Sequence, residues 1–428
     1  MGIGMMVNIS RIRKNKLLNS VGIYTIGHLF NAALPFMLMP VLTRYLSPED
    51  YGITAMLAVL MGIYTPFVGL NLPGFVSVAY FKQNLNFPLV ISTVFHLLVL
   101  SLLMTLVVTI VGADIIALLT QFPADWLWVV ILLCFSNFFI MVLQNIQQVK
   151  GHAKEYTIIQ LGQTSMNLML SLVFVVLFAM NWQGRIWAQV ITGMVFMLVA
   201  AGLLYRWGLL KWQFSFDYMH RSLVFGLPLI PHALCGFFVL AADRLFISNM
   251  IGMSEVGVFS VGFSLGQVIE LFGTSFNKAF SPWLYGKLKD LDEGRSNDRR
   301  KIVKFSYACM IGFVSIAIVY SFCMPWFLSF FVGPKFQEAS KYILGFALAA
   351  AIHAIYYLVV NYIFYRQKTQ YLAMITFGSG VLHIGITYMM IKIWGAIGAA
   401  YAAVVTHGIM TFLTWWLSNR VYPMPWRL

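Results

Sequence analysis

The residues of this 428-residue sequence best suited to chemistry are charged side chains inside long apolar runs. Asp243 and Arg244 are adjacent in one run, Glu270 lies deep in the next, and Arg44 lies near the end of an earlier one. Charged groups at membrane depth are costly and usually mark an ion or substrate pathway. We therefore treat Asp243 and Glu270 as candidates for ion coupling, and Arg244 and Arg44 as candidates for binding an anionic group. The alternatives are a capping role for Asp243, a membrane-interface position for Arg244, an interhelical hydrogen bond for Glu270 and a structural role for Arg44.

Polar, uncharged side chains recur inside the same apolar runs at helical spacing, in both halves of the chain. Such a stripe lines a water-filled cavity or holds neighbouring helices together by hydrogen bonds. Because both halves carry stripes, we favour a polar central cavity. The candidate lining residues are His28, Asn31, Gln144, Gln148, Gln163, Asn277, Tyr357 and Asn361. Neither the scattered histidines nor the four cysteines have metal-ligand spacing, so we expect no metal and no cofactor.

The composition shows which elements must position these side chains. Hydrophobic residues make up 60% of the chain and charged residues 10%, and the mean hydropathy is +0.82. The apolar runs are long enough to cross a bilayer as helices, which takes about 20 residues. This pattern predicts an all-α, polytopic membrane protein with twelve transmembrane helices. The predicted spans are 17–42, 52–72, 88–111, 126–146, 157–180, 185–205, 222–248, 255–276, 302–325, 341–364, 371–393 and 395–417.

The net charge of +14 is explained by topology. If the N-terminus is cytoplasmic and the spans alternate, most of the 28 basic residues fall on the cytoplasmic side. The other side receives only Arg44, Arg185, Arg244, Lys335, Lys341 and Lys392. Both termini and the predicted loop 277–301 are then cytoplasmic, and the charge no longer argues for nucleic acid. The basic cluster 294–301 sets topology, or binds anionic lipid or a partner.

A short internal repeat predicts two lobes. At a constant offset, Leu46, Asp50, Gly52 and Ile53 fall on Ile251, Glu255, Gly257 and Val258. Each stretch joins the first and second span of a six-span half, with Pro48 or Ser254 opening the next helix and an acid in its first turn. We expect a lobe at 1–205, a cytoplasmic linker at 206–221 and a second lobe at 222–428, arranged as two six-helix lobes around a central cavity, which is a transporter architecture.

The stretches PFMLMPVLTRYLSPEDYGI (35–53) and AADRLFISNMIGMSEVGVFSVGF (241–263) carry a family resemblance. They resemble the O-antigen flippases, Wzx-type members of the polysaccharide transporter branch of the multidrug/oligosaccharidyl-lipid/polysaccharide exporter superfamily. LQNIQQVKG (143–151) and FNKAFSPWLYGKL (276–288) are also similar to the family's span ends.

The resemblance implies export of a polyprenyl-pyrophosphate-linked oligosaccharide across a bacterial inner membrane. It further implies cationic lumen residues and an ion gradient, with lipid-linked oligosaccharide and bilayer lipid as partners. Association with other polysaccharide-assembly membrane proteins stays open.

Two rival functions differ in class from this one. A drug or cation exporter of the same superfamily would share the fold, although the motif Arg44–Gly52 argues against it. A polysaccharide polymerase or ligase would need catalytic groups, often in a large extracytoplasmic loop. The largest predicted loops of that kind are Gly112–Asp125 and Trp326–Ser340, and the sequence carries no nucleophile–base motif or nucleotide-binding loop. We therefore expect a transporter and not an enzyme.

Overall fold

The computed structural model describes residues 27, 30–31, 33, 36–82, 85–295 and 297–427, and these residues form helices and no strands. Residues 36–45 are helical. The longer elements that follow are α1 Pro48–Gly69, α2 Leu72–Phe81, α3 Phe87–Val111, α4 Ala113–Thr120, α5 Leu127–Val149, α6 Ala153–Leu172, α7 Asn181–Arg206, α8 Phe216–Gly226, α9 Leu229–Met250, α10 Met253–Gly266, α11 Val268–Asp292, α12 Arg299–Phe331, α13 Ser340–Tyr365, α14 Thr369–Trp394 and α15 Ile397–Val421.

The all-α membrane fold predicted from the sequence is confirmed. Ten segments of the described chain are helices long and apolar enough to cross a membrane, and each coincides with a predicted span. Helices are expected there because a bilayer offers no water to satisfy backbone polar groups. The predicted seventh span is the helix α9, which is separated from α8 at Leu227 and Pro228. The predicted first span lies mostly outside the described residues.

The chain divides into two compact units. The N-terminal unit comprises Met1–Leu46 and Met56–Leu234, and the C-terminal unit comprises Ser47–Ala55 and Cys235–Leu428. The beginning of α1 therefore belongs to the C-terminal unit. The lobe boundaries at 205 and 222 stay a prediction.

One predicted loop is largely helical. The prediction of a loop from Asn277 to Lys301 was wrong, because α11 continues to Asp292 and α12 begins at Arg299. An ion pair four residues apart, between Lys289 and Glu293, supports the last turns of α11. Charged residues thus mark where a helix leaves the apolar region, and not where the helix ends.

The repeated stretches form two helix starts that pack together within the C-terminal unit. Ser47 and Asp50 exchange hydrogen bonds in the manner of a capping box, with Ser47 N to Asp50 Oδ2 at 2.9 Å and Asp50 N to Ser47 Oγ at 3.1 Å. A Cβ on Gly52 would lie 2.1 Å from Met253 O, and a Cβ on Gly257 would lie 1.9 Å from Pro48 O. The two glycines therefore allow the backbones of α1 and α10 to touch.

Candidate functional site

The N-terminal unit contains a cavity of about 400 Å³ whose lining is rich in amides. Its walls come from α5, α6 and α7, together with Asn31 and Met61. The polar lining residues are Asn31, Asn137, Gln144, Gln160, Gln163, Thr164, Asn167, Arg185, Gln189 and Thr192. A cavity of this size lies within the range of about 300–1,000 Å³ for small-ligand sites.

The spacing of the amides explains why they meet. Gln160, Gln163, Thr164 and Asn167 recur three and four residues apart, so they share one face of α6. Thr164 donates a hydrogen bond to Asn31 Oδ1, which ties the face to the N-terminal segment. The structure therefore brings together three predicted lining residues, namely Asn31, Gln144 and Gln163.

Arg185 is the only charged side chain among the described lining residues of this cavity. It lies in the second turn of α7, and its Nη1 donates to Asn167 Oδ1 and to Ser171 Oγ, the latter at 2.6 Å. Sequence reasoning counted Arg185 as an extracytoplasmic charge and did not name it as a site residue. Its spacing of four from Gln189, another lining residue, places both side chains on one helical face and was the available signal.

Two buried polar atoms at the cavity have no hydrogen-bond partner within the described part of the chain, Gln160 Oε1 and Thr192 Oγ1. Leaving such an atom unpaired is unfavourable by about 1–3 kcal/mol. Both residues line the cavity, so a ligand with hydroxyl or amide groups, or water, would satisfy them. The cavity is thus equipped to bind a polar molecule through neutral hydrogen bonds, next to one cation.

Two other predicted residues of the N-terminal unit are described and are not among those that line this cavity. Gln148 is exposed one turn beyond Gln144, at the end of α5. Arg44 is exposed at the end of the helical residues 36–45. His28 lies outside the described residues.

The C-terminal unit contains a ladder of polar contacts between α11 and α13. His353, Tyr357, Asn361 and Tyr365 recur every four residues on α13. Glu270 of α11 contacts His353 Nδ1 at 3.0 Å and accepts from Tyr357 Oη at 2.9 Å. Further along, Asn361 Nδ2 donates to Asn277 Oδ1 at 2.9 Å, and Ser281 and Tyr285 both donate to Asn361 Oδ1. The ladder therefore joins Asn277, Tyr357, Asn361 and Glu270 by hydrogen bonds between the helices.

The ladder continues to Asp292, at the end of α11. Its carboxylate accepts from Tyr365 at 3.1 Å and from Tyr422 at 3.0 Å, and pairs with Arg366 at 3.3 Å. Burial raises the pKa of Tyr422 to about 12, and its hydrogen bond to Asp292 adds to this. The Tyr422 hydroxyl therefore stays protonated at neutral pH and remains a donor. These contacts tie the end of α11 to α13 and to the segment that follows α15.

Asp243 and Arg244 are neighbours on α9 with different partners. Asp243 is buried, accepts from Thr387 Oγ1 at 3.2 Å and contacts His383 Nε2 at 3.2 Å on α14. Arg244 Nε donates to Ser260 Oγ at 3.3 Å on α10, and its guanidinium lies 4.8 Å from the centre of the Phe263 ring. Adjacent residues on a helix point about 100° apart, which explains the divergence.

Comparisons with known proteins identify the family. The family model described as "Polysaccharide biosynthesis protein" matches residues 17–285. An "Uncharacterized membrane protein" of Haemophilus influenzae is 26% identical over 381 residues, which is 86% of this chain and 89% of the relative. From the same organism, "Lsg locus putative protein 1" is 26% identical over 376 residues, or 85% and 88% of the two chains.

Two solved structures share the fold. The inward closed conformation of the lipid II flippase MurJ superposes with a TM-score of 0.70 at 14% identity, covering 93% of this chain and 87% of that one. An inward-facing multidrug resistance MATE transporter of the MOP superfamily superposes with a TM-score of 0.65 at 16% identity, covering 91% and 94%. The fold is therefore that of these multi-pass membrane transporters, and by its sequence the chain belongs to the polysaccharide biosynthesis protein family.

Proposed function

We propose that this chain is a flippase for a polyprenyl-pyrophosphate-linked oligosaccharide, such as an O-antigen repeat unit. The substrate would move from the inner to the outer leaflet of the bacterial inner membrane by alternating access. Family membership and the shared fold support a transporter of lipid-linked saccharide. The glycan, the coupling ion, the membrane and the cytoplasmic placement of both termini belong to the proposal.

The observation that carries the proposal is the amide-lined cavity of the N-terminal unit. Each sugar hydroxyl costs about 4–8 kcal/mol to move from water into alkane without a hydrogen-bond partner. Asn137, Gln144, Gln163 and Gln189 can replace water for those hydroxyls, while the lipid tail stays in the bilayer. Neutral amides suit this task because they both donate and accept hydrogen bonds.

Arg185, the one cation among the described lining residues, argues for an anionic or neutral substrate. Arg185 favours the pyrophosphate or an acidic sugar, because a guanidinium forms strong charge-assisted hydrogen bonds with such groups. A cavity for a cationic drug would be expected to place a carboxylate here, so the drug-exporter alternative is less well supported. Arg244 and Arg44 remain candidates for contacting the pyrophosphate at another stage of the cycle.

Ion coupling forms the second part of the proposal. Asp243 and Glu270 are the candidate residues, and both lie in contact with a histidine in the C-terminal unit. Each elementary charge that crosses the membrane contributes about 2.3 kcal/mol per 100 mV. This driving force would allow the lipid-linked oligosaccharide to accumulate in the outer leaflet against its own concentration gradient.

The test is surface polysaccharide display in a strain that lacks the chromosomal copy. We expect the deletion to accumulate lipid-linked oligosaccharide and to lose display, and the wild-type chain to restore it. Arg185→Gln should lower display about tenfold to a hundredfold, because a hydrogen bond to a charged group contributes about 1.5–3 kcal/mol. The matched control is Arg206→Gln, which removes an exposed arginine from the last turn of the same helix.

Equal display by both variants would remove Arg185 from the proposed site. A deletion strain with normal display and no accumulated lipid-linked oligosaccharide would overturn the function itself. Protein levels in the membrane are measured by blot in every strain.

A further inference from the structure

Two acid–histidine pairs lie inside the C-terminal unit. Glu270 Oε2 of α11 is 3.0 Å from His353 Nδ1 of α13, and Asp243 Oδ1 of α9 is 3.2 Å from His383 Nε2 of α14. Asp243 and His383 are almost wholly buried, with side-chain exposures of 6% and 4%. Charged groups within a membrane protein are usually paired. In both pairs the partner is an imidazole, whose ring nitrogens can donate or accept a hydrogen bond.

Helix α15 joins the two pairs through adjacent residues. Thr406 Oγ1 lies 3.0 Å from His383 Nδ1, and the ring of His407 lies 5.1 Å from the ring of His353. His407 Nδ1 is buried and has no hydrogen-bond partner among the described residues. An unpartnered imidazole nitrogen is a position that can accept a hydrogen bond or, in the other tautomer, donate one.

The other groups that face the cluster are mainly hydroxyls. Tyr357 donates to Glu270, and the ring of Tyr356 stacks on His353 with centroids 5.4 Å apart. Thr387 donates to Asp243 and contacts His383 Nε2 at 3.3 Å. Arg244 is the charged neighbour of Asp243 and interacts with it electrostatically, and its guanidinium also packs on the ring of Phe263. The titratable groups of the cluster are thus two carboxyls, three imidazoles and two phenols.

We propose that the two acid–histidine pairs, joined by Thr406 and His407, bind the coupling ion and that this ion is a proton. The proposal rests on the proposed function, because it names the ion of that transport cycle. A proton arriving from one aqueous phase binds an imidazole nitrogen or a carboxylate oxygen of the cluster. It then dissociates from these atoms into the aqueous phase on the other side of the membrane, and no bond between heavy atoms changes.

The ligand set explains the choice of a proton over sodium. Hard cations prefer a shell of oxygen ligands, whereas here an imidazole nitrogen occupies a hydrogen-bonding position at each carboxylate. Within the part of the chain that the structure describes, no three His, Cys, Asp or Glu side chains are arranged to hold a metal ion. Proton binding requires only the donor–acceptor contacts that the cluster already makes.

The first test needs no substrate. Infrared difference spectra are recorded on the full chain in lipid nanodiscs between about pH 8 and about pH 5, and the carbonyl band of protonated carboxylic acids is followed. We expect a buried carboxylic acid band that is insensitive to NaCl, is diminished in Asp243→Asn and Glu270→Gln, and shifts in His383→Gln and His407→Gln. His220→Gln, which changes an exposed histidine of α8, is the control and should leave the band unchanged. Loss of the band when NaCl is added would overturn the proposal. A band that has the same intensity and position in the wild type and in all four cluster variants would also overturn it.

The second test uses proteoliposomes loaded with lipid-linked oligosaccharide extracted from the deletion strain. The readout is the ratio of accumulation with an ion gradient to accumulation without one, which corrects for changes in the basal rate. A gradient of about one pH unit supports about tenfold accumulation for each proton exchanged. We expect that ratio for the wild type and for His220→Gln, and a ratio near unity for His383→Gln and His407→Gln.

The outcomes separate this proposal from the proposed function. Accumulation of the oligosaccharide that is driven by a sodium gradient and does not respond to a pH gradient would overturn the proposal that the coupling ion is a proton. The same result would still support the proposed flippase function. Absence of any oligosaccharide movement under all gradients counts against the flippase, and the infrared test then still decides whether the cluster binds protons.

Discussion

Alanine at Gly52 or Gly257 is expected to destabilise the packing of α1 on α10 in the C-terminal unit. At Gly257 the new Cβ would lie 1.9 Å from Pro48 O, 2.8 Å from Pro48 C and 3.0 Å from Gly52 N. At Gly52 it would lie 2.1 Å from Met253 O. The nearest atom in each case belongs to the backbone, so no side chain can move aside and the helices themselves must separate.

The magnitude follows from two opposing effects. Overpacking a close contact typically costs about 1–3 kcal/mol. Replacing a helical glycine with alanine favours the helix by about 0.5–1 kcal/mol. We therefore expect a net loss of about 1–2 kcal/mol for each single variant. The double variant should lose less than the sum, because both substitutions push the same two backbones apart.

Gly312→Ala and Gly408→Ala are the matched controls, since a Cβ at either helical position meets nothing within 4 Å. The assay is thermal inactivation of the full chain in detergent, followed as the fraction that stays monodisperse after heating. Membrane proteins often unfold irreversibly, so the result is compared as an inactivation temperature. If Gly52→Ala and Gly257→Ala inactivate at the temperature of the two controls, the two helices do not touch at these glycines.

Three further predictions concern binding, topology and packing. Arg244→Ala should abolish polysaccharide display while Arg244→Lys keeps part of it, because lysine retains the charge but not the planar fork. Arg44→Ala should lower display less than Arg244→Ala does. A larger loss of display in Arg44→Ala would assign the binding role to Arg44. Cysteines at Asn297 and Ala124, both exposed, should react with an impermeant thiol reagent from opposite sides of the membrane, and labelling of Asn297→Cys in intact cells would contradict the cytoplasmic placement. Asn361→Leu should lower thermal stability by about 1 kcal/mol, since it removes the hydrogen-bond partner of Asn277, Ser281 and Tyr285. Unchanged stability would show that these hydrogen bonds do not hold α11 and α13 together.

Much of the fold could be predicted because a bilayer restricts the chain to helices of known length. Within the described residues, each of the ten helices that are long and apolar enough to cross a membrane coincides with a predicted span. Local sequence likewise predicts that α1 begins at Pro48 and that an acidic residue, Asp50 or Glu255, lies in the first turn of each repeated helix. Family membership confirms that the resemblance found in the motifs was sound at the level of the family.

The amide stripes were only partly predictable. Periodicity places Gln160, Gln163 and Asn167 on one face of α6, yet it does not show what that face contacts. On α6 the stripe meets a cavity, whereas the stripe that contains Tyr357 and Asn361 on α13 meets α11 and forms hydrogen bonds between helices. Both outcomes follow from the same sequence pattern, because the difference lies in the neighbouring helix.

Arg185 and His407 were missed for a different reason. Counting charges by their distance from a span end assigned Arg185 to the aqueous side, although it lies within α7 and faces the cavity. His407 is distant in sequence from Glu270 and Asp243, and only the packing of α15 brings it beside His353. Sequence distance is thus a poor guide to functional grouping in a helical bundle, where neighbours come from separate spans.

The two units differ in the chemistry that they contain. The described polar lining of the cavity in the N-terminal unit consists of amides, two threonines and one arginine, and none of these side-chain types gains or loses a proton between pH 5 and 8. The cluster of the C-terminal unit is built from carboxyls and imidazoles, which are groups that can bind and release a proton. Under the proposed mechanism, protonation therefore leaves the groups that bind the glycan chemically unaltered. Ion binding can then influence the glycan only by shifting the equilibrium between conformations of the chain, which is how coupling between distinct sites operates.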